Sequence, residues 1–134
     1  MIPGSSEKER LTDASLSQEV GGSSPSPGAI PAHYVIVRDN LPVGAAAAQI
    51  VHAAGESSPG NVGPDTFAVV LTAPDSAALE HVANQLRAMG LKPVLICEPD
   101  PPYNGAPTAL GVYAPDRSVV RGMLRHLPLY GRQR

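Results

Sequence analysis

With 134 residues, 43% of them hydrophobic, the chain has room for one ordinary domain and enough apolar content to give it a core. A single cysteine, Cys97, excludes an internal disulfide and a thiolate zinc cluster, and no run approaches the roughly 18 apolar residues that a membrane-spanning helix needs. The formal net charge of -2 resides in residues 1–32, where Lys8 and Arg10 face Glu7, Glu9, Asp13 and Glu19, so the neutral remainder binds nucleic acid only if its basic groups gather on one side.

Residues 1–31 are rich in Ser, Gly and Pro and too poor in apolar residues to offset the entropy of ordering, which reads as a disordered tail ahead of one domain at 32–134. The first ten residues lack the apolar segment of a signal peptide, so the expected location is the cytoplasm. The apolar run from His33 to Arg38 predicts a strand covered on both faces. An alanine-rich helix follows over about Gly44 to Ala54, with Gly55 as its stop and a loop from Gly55 to Asp65. On a helical wheel Ala47, Ile50, Val51 and Ala54 form the face expected to pack on a sheet, and Ala45, Ala48, Gln49 and His52 share another.

Thr66 to Thr72 predicts the second strand. Thr72 and Asp75 frame a capping box around Pro74, and Leu79, Val82, Ala83, Leu86 and Met89 then recur at helical spacing until Gly90. Pro93 to Glu98 predicts the third strand, with Cys97 expected to be a buried thiol pointing away from Glu98. A proline-dense loop from Pro99 to Pro107 leads to a fourth strand, Thr108 to Tyr113. The last helix opens at Pro115 and Asp116, with Val120, Met123, Leu124 and Leu127 on its apolar face and Arg117, Arg121 and Arg125 four apart on another. The order β-α-β-α-β-β-α implies an α/β fold, a mixed four-stranded sheet flanked by helices, with a ferredoxin-like sandwich as the alternative. His33, His81 and His126 lie on separate elements without ligand spacing, so neither a metal nor a cofactor is expected.

Three segments carry a resemblance: Tyr34-Val35-Ile36-Val37-Arg38-Asp39, then Gly44-Ala45 with Gln49 and His52-Ala53-Ala54, then Val69-Val70-Leu71 ahead of Ala73-Pro74-Asp75. Together they resemble the type-2 peptidyl-tRNA hydrolase family, closest to its divergent branch of domain-containing proteins, over nearly all of residues 33 to 130. The resemblance implies metal-free hydrolysis of the ester between a peptide and the terminal ribose of tRNA. Gln49 and His52 match the motif. Ala45 stands where typical members have a lysine, and Glu98-Pro99-Asp100-Pro101-Pro102 stands where they have Asp-Ala-Gly-Arg-Thr, so Glu98 keeps the carboxylate and Pro102 takes the threonine position. The loop from Gly55 to Asp65 replaces the family's second helix.

Ester hydrolysis needs an activated water, a donor for the oxyanion and a proton for the ribose oxygen. His52 is the expected proton-exchanging group, and Glu98 the expected hydrogen-bond acceptor that fixes its tautomer. The amides after Gly44 supply anion-stabilising donors beside Ala45, and Gln49 is a substrate-binding or loop-anchoring residue. Arg117, Arg121 and Arg125, with Arg132 and Arg134 beyond, predict a phosphate-tracking stripe for tRNA or peptidyl-tRNA. No membrane partner is expected, and a monomer and a homodimer both fit. A non-catalytic tRNA- or protein-binding module on the same fold is the competing function, and a small-molecule regulatory domain of ferredoxin-like type is a third.

Overall fold

Period-two burial in the first strand sets the architecture. In the computed structural model, which describes residues 28–132, β1 (Ala32–Arg38) sends Tyr34 and Ile36 to one side and Val35 and Val37 to the other, and all four are buried. There follow α1 (Val43–Ser57), β2 (Phe67–Ala73), α2 (Ser76–Ala88), β3 (Val94–Cys97), β4 (Pro107–Ala114) and α3 (Ser118–Leu124), in the order expected. The strands form one mixed sheet in the spatial order β2-β1-β4-β3, with β1 and β2 parallel and β4 antiparallel to both its neighbours. Because β1 and β2 are adjacent, no strand splits the β1-α1-β2 unit, which sets aside the ferredoxin-like alternative. Leu129 bridges Leu71 on the outer edge of β2, and Tyr130 N donates to Val70 O at 2.9 Å, so the C-terminal segment covers that edge.

The helix α1 covers one face of the sheet, where Ala46 and Ala53 pack with Val35, Val37 and Ala109. On the other face α2 and α3 bury Leu79, Val82, Leu86, Val120 and Leu124 against Ile36, Leu110 and Val112. Both buried residues of α3 and the partly buried Met123 lie on its expected apolar face, whereas Leu127, expected on that face, packs on the same core from beyond the helix end at Leu124. The segment expected to be a disordered tail lies, for residues 1–27, outside the described residues, as does Arg134. The carbonyls of Ile30 and Pro31 accept from Arg117 N at 2.8 Å and Phe67 N at 3.0 Å. Among the described residues no helix is long and apolar enough to cross a membrane.

Four expectations are corrected. The sheet-facing side of α1 is Ala46, Gln49, Ile50 and Ala53, while Val51 stays 72% exposed and Ala47 is exposed too. Small residues face the sheet because α1 lies close above Ala109 and Gly111, where a valine would hold it off. Nor does Gly55 stop the helix, which runs on to Ser57; its last turn is held where Ser57 Oγ donates to Ala53 O at 2.6 Å. The cap of α2 is Asp75, whose carboxylate accepts from Ala78 N at 2.9 Å, whereas Thr72 is a buried strand residue. At the far end Gly90, at φ +86°, closes α2 with paired bonds from Gly90 N to Arg87 O and from Leu91 N to Leu86 O. Finally, the Cys97 thiol is exposed, because β3 ends there and the ladder slips one residue.

His33 couples β1 to the end of α1. The Ser57 hydroxyl spends its single proton on Ala53 O, so its oxygen accepts, at 2.8 Å, from His33 Nε2–H, which fixes the tautomer of the neutral ring. Burial holds the His33 pKa below its ordinary value of 6.5. The folded state therefore binds fewer protons than the unfolded one, so stability is complete above about pH 6.5 and falls as pH drops through the folded pKa. Thermal melts from pH 7.5 to 5 are expected to show a midpoint that declines below pH 6.5, with a shallower decline in His33→Gln. Identical pH slopes in the two proteins would remove this coupling.

Candidate functional site

The site begins with a defect in the sheet. Ile96 pairs with Ala109 but Cys97 pairs with Pro107, so one step along β3 spans two residues of β4 and Thr108 is the extra one. Strict alternation from Leu110 would aim Thr108 at α2. The bulge turns it instead toward α1, a common use of bulges beside functional sites. There Thr108 Oγ1 donates to Gln49 Oε1 at 2.8 Å, with Ile96 O a further 3.3 Å contact. With its oxygen thus occupied, the Gln49 amide is oriented so that Nε2 donates to Glu98 Oε1 at 3.2 Å. Glu98 Oε2 faces Asp100 N at 3.5 Å, at the start of the proline loop.

Gln49 is 8% exposed and Thr108 1%, so neither has water as an alternative partner, and a broken chain leaves a polar group unsatisfied at a cost of about 1–3 kcal/mol. Glu98 is only half-buried, and a depression opens on each side of its bond to Gln49. The first, about 200 Å³, is lined by Leu41, Ala45, Asp100, Pro101 and Tyr103. The second, about 380 Å³, is lined by His52, Glu56, Ile96, Cys97 and Pro99. A carboxylate is thus presented to solvent-filled space from a fixed buried support.

His52 and Glu98 do border one depression, but the expected hydrogen bond between them is not formed. The imidazole is exposed on the outer side of α1, and the carboxylate takes the Gln49 amide instead. This follows from the rotation of α1, which turns Gln49 inward and leaves His52, three residues on, at the rim. Gln49 is therefore the positioning residue. At the start of α1, Pro42 supplies no side-chain cap, and the first intrahelical bond is Ala46 N to Pro42 O at 2.8 Å. The amides of Val43, Gly44 and Ala45 lie ahead of it as donors. A Cβ at Gly44 would meet nothing within 4 Å, so packing does not dictate that glycine.

Of the three arginines expected on the last helix, Arg121 and Arg125 are exposed and line one depression, whereas Arg117 is half-buried with its guanidinium 4.3 Å from the Phe67 ring centroid. α3 starts at Ser118 and Arg117 precedes it, next to β2. Arg38 bonds Asn40 Oδ1 at 3.0 Å and Ser76 Oγ at 3.2 Å and lies over the Tyr103 ring. Thr108, read from the sequence only as the start of a strand and not as a site residue, was signalled by nothing beyond that position next to the proline loop. Among the described residues no group of three or more His, Cys, Asp or Glu gathers to hold a metal.

No family model matches the chain, and no curated protein matches it. Among solved structures, a protein of unknown function from Agrobacterium tumefaciens is similar at a TM-score of 0.51 with 18% sequence identity, over 76% of this chain and 98% of that one. Likeness at that identity concerns the fold alone.

Proposed function

We propose that this chain is a peptidyl-tRNA hydrolase-like esterase, acting on the ester between a peptide and the terminal ribose of tRNA. Glu98 removes a proton from the attacking water, the amides at the start of α1 receive the oxyanion, and His52 returns a proton to the ribose oxygen. The observation that carries this reading is the Thr108–Gln49–Glu98 chain, which holds one carboxylate from buried supports at the edge of a cleft. The Gln49 and His52 motif and the mixed sheet agree with the family likeness in the sequence. Ala45 supplies no ammonium, and one missing oxyanion donor costs about 10²–10³ in rate, so turnover is slow.

The competing reading is a non-catalytic tRNA- or protein-binding module, favoured by Ala45 and by the missing bond between His52 and Glu98. Incubation with labelled peptidyl-tRNA, following release of free tRNA, separates the two. Slow multiple turnover is expected, with His52→Ala at least tenfold slower, since a lost acid–base group typically costs about 10²–10⁴. A His52→Ala rate within tenfold of wild type removes the imidazole from the mechanism. Binding of tRNA with no release at stoichiometric protein establishes the module.

A further inference from the structure

The two residues that meet on Gln49 stand at the two ends of one loop. Glu98 comes just before the proline-dense segment 99–106, and Thr108 just beyond it, second in β4, so the separation of those ends decides whether both reach the same amide. The loop closes at its neck, where Glu98 N donates to Ala106 O at 3.2 Å and Gly105 N to Glu98 O at 2.7 Å. Beyond the neck, one guanidinium reaches it at two places. Arg38, half-buried at the end of β1, lies over the Tyr103 ring at 5.4 Å from its centroid, and its Nη1 donates at 3.2 Å to the hydroxyl of Ser76, the first residue of α2. Ser76 gives its single proton to Pro107 O at 2.8 Å, so its oxygen is left as the acceptor for the arginine. Pro107 is buried and is the immediate neighbour of Thr108. The Nε of Arg38 donates to Asn40 Oδ1 at 3.0 Å, which fixes the plane of the group.

We propose that Arg38 is a positioning residue for Glu98: it pins the tip and the exit of the loop at once, so that Glu98 and Thr108 are held at the separation Gln49 spans. The catalytic consequence rests on the esterase reading, whereas the anchoring of the loop does not. The arginine acts at a distance from the carboxylate, through Tyr103 on one side and through Ser76 and Pro107 on the other. A guanidinium suits the role because its face lies on a ring while two of its nitrogens donate in its plane to different oxygens. A lysine, with one nitrogen, serves these partners only in part.

The test pairs steady-state release of tRNA from labelled peptidyl-tRNA with amide hydrogen exchange, read by NMR, on the full chain. Arg38→Gln is expected to lower kcat by about 10- to 100-fold at an unchanged KM, the scale of loss that follows a misplaced reacting group. The Glu98 and Gly105 amides, across the loop neck, are expected to exchange about tenfold faster, while Gly90 N, at the far end of α2, keeps its rate. Arg38→Lys recovers part of both losses. Tyr103→Leu, at the loop tip and outside the core, loosens the same two amides, and the double variant is no slower than Arg38→Gln alone, because the arginine change already removes the ring contact. Arg87→Gln, an exposed change on α2, leaves kcat and exchange as they are. Unchanged exchange at Glu98 and Gly105 in Arg38→Gln overturns the anchoring. Faster exchange with an unchanged kcat overturns the positioning, as do additive losses in the double variant or a raised KM at constant kcat, which would make the arginine a substrate contact. A wild-type chain that releases no tRNA sinks the esterase reading instead, and the exchange rates then decide the anchoring by themselves.

Discussion

Glu98→Gln is expected to slow release of tRNA from peptidyl-tRNA by about 10²–10⁴ while leaving the fold intact, the loss typical of a removed general base. The substitution is informative because of what it preserves. A glutamine oxygen at that position still accepts from Gln49 Nε2, so the Thr108–Gln49 support stays satisfied, and the amide nitrogen in place of Oε2 gives up only the 3.5 Å contact from Asp100 N. What is lost is the ability to take a proton from water. Gln49→Leu makes the complementary change: the carboxylate remains but its donor is gone, and the buried Thr108 hydroxyl is left with only the longer contact to Ile96 O. That variant is expected to lose kcat with little change in KM, by less than Glu98→Gln, and to melt lower because a buried partner has gone. Turnover in Glu98→Gln equal to wild type would remove the carboxylate from the chemistry.

The elements were legible because their signals are redundant. The strands show as short apolar, β-branched runs, and α2 shows as Leu79, Val82, Ala83 and Leu86 at helical spacing closed by Gly90, and both kinds of element sit where those runs lie. The mixed sheet follows from short connections and crossovers. The orientation of α1 was not legible. An alanine-rich helix has little amphipathic contrast, so the wheel leans on its few large residues, Ile50 and Val51. The fold weighs instead how close the helix can come to the sheet, which selects Ala46 and Ala53. That single rotation turns Gln49 inward, off the face it was expected to share with His52, and so changes the partner of Glu98.

Thr108 was hidden for a different reason. Its face is set by a register slip, and a slip follows from how two strands pair rather than from the alternation within either. The arginines illustrate the same limit: spacing of four places Arg117 with Arg121 and Arg125, but α3 begins after Arg117, and the Phe67 ring takes the guanidinium. Groups drawn from separate segments, such as Arg38 and Tyr103, have no spacing to be read from.

Gly111→Ala is expected to lower the melting midpoint by roughly 5–20 °C, from an overpacking cost of about 1–3 kcal/mol and about 4–8 °C per kcal/mol in a domain of this size. Backbone freedom is not the issue, since Gly111 is an ordinary strand residue; space is. A Cβ there would overlap the Ala53 carbonyl oxygen and Ser57 Oγ, and would lie 2.9 Å from Ser57 Cβ. Ser57 cannot turn aside without giving up its bonds to Ala53 O and His33, and the Ala53 carbonyl is helix backbone. The helix must therefore lift from the sheet. Gly122→Ala on α3 is the control: a Cβ there meets nothing within 4 Å, and the change is expected to be neutral or stabilising by up to about 1 kcal/mol. A Gly111→Ala midpoint within about 2 °C of wild type would mean that the close approach of α1 is not what the fold relies on. The same lift would carry Gln49, one turn back along α1 from Ala53, away from both Thr108 and Glu98. Activity in Gly111→Ala is accordingly expected to fall even below the melting range, because the contact that sets the height of α1 over the sheet also sets the 3.2 Å bond that holds the carboxylate.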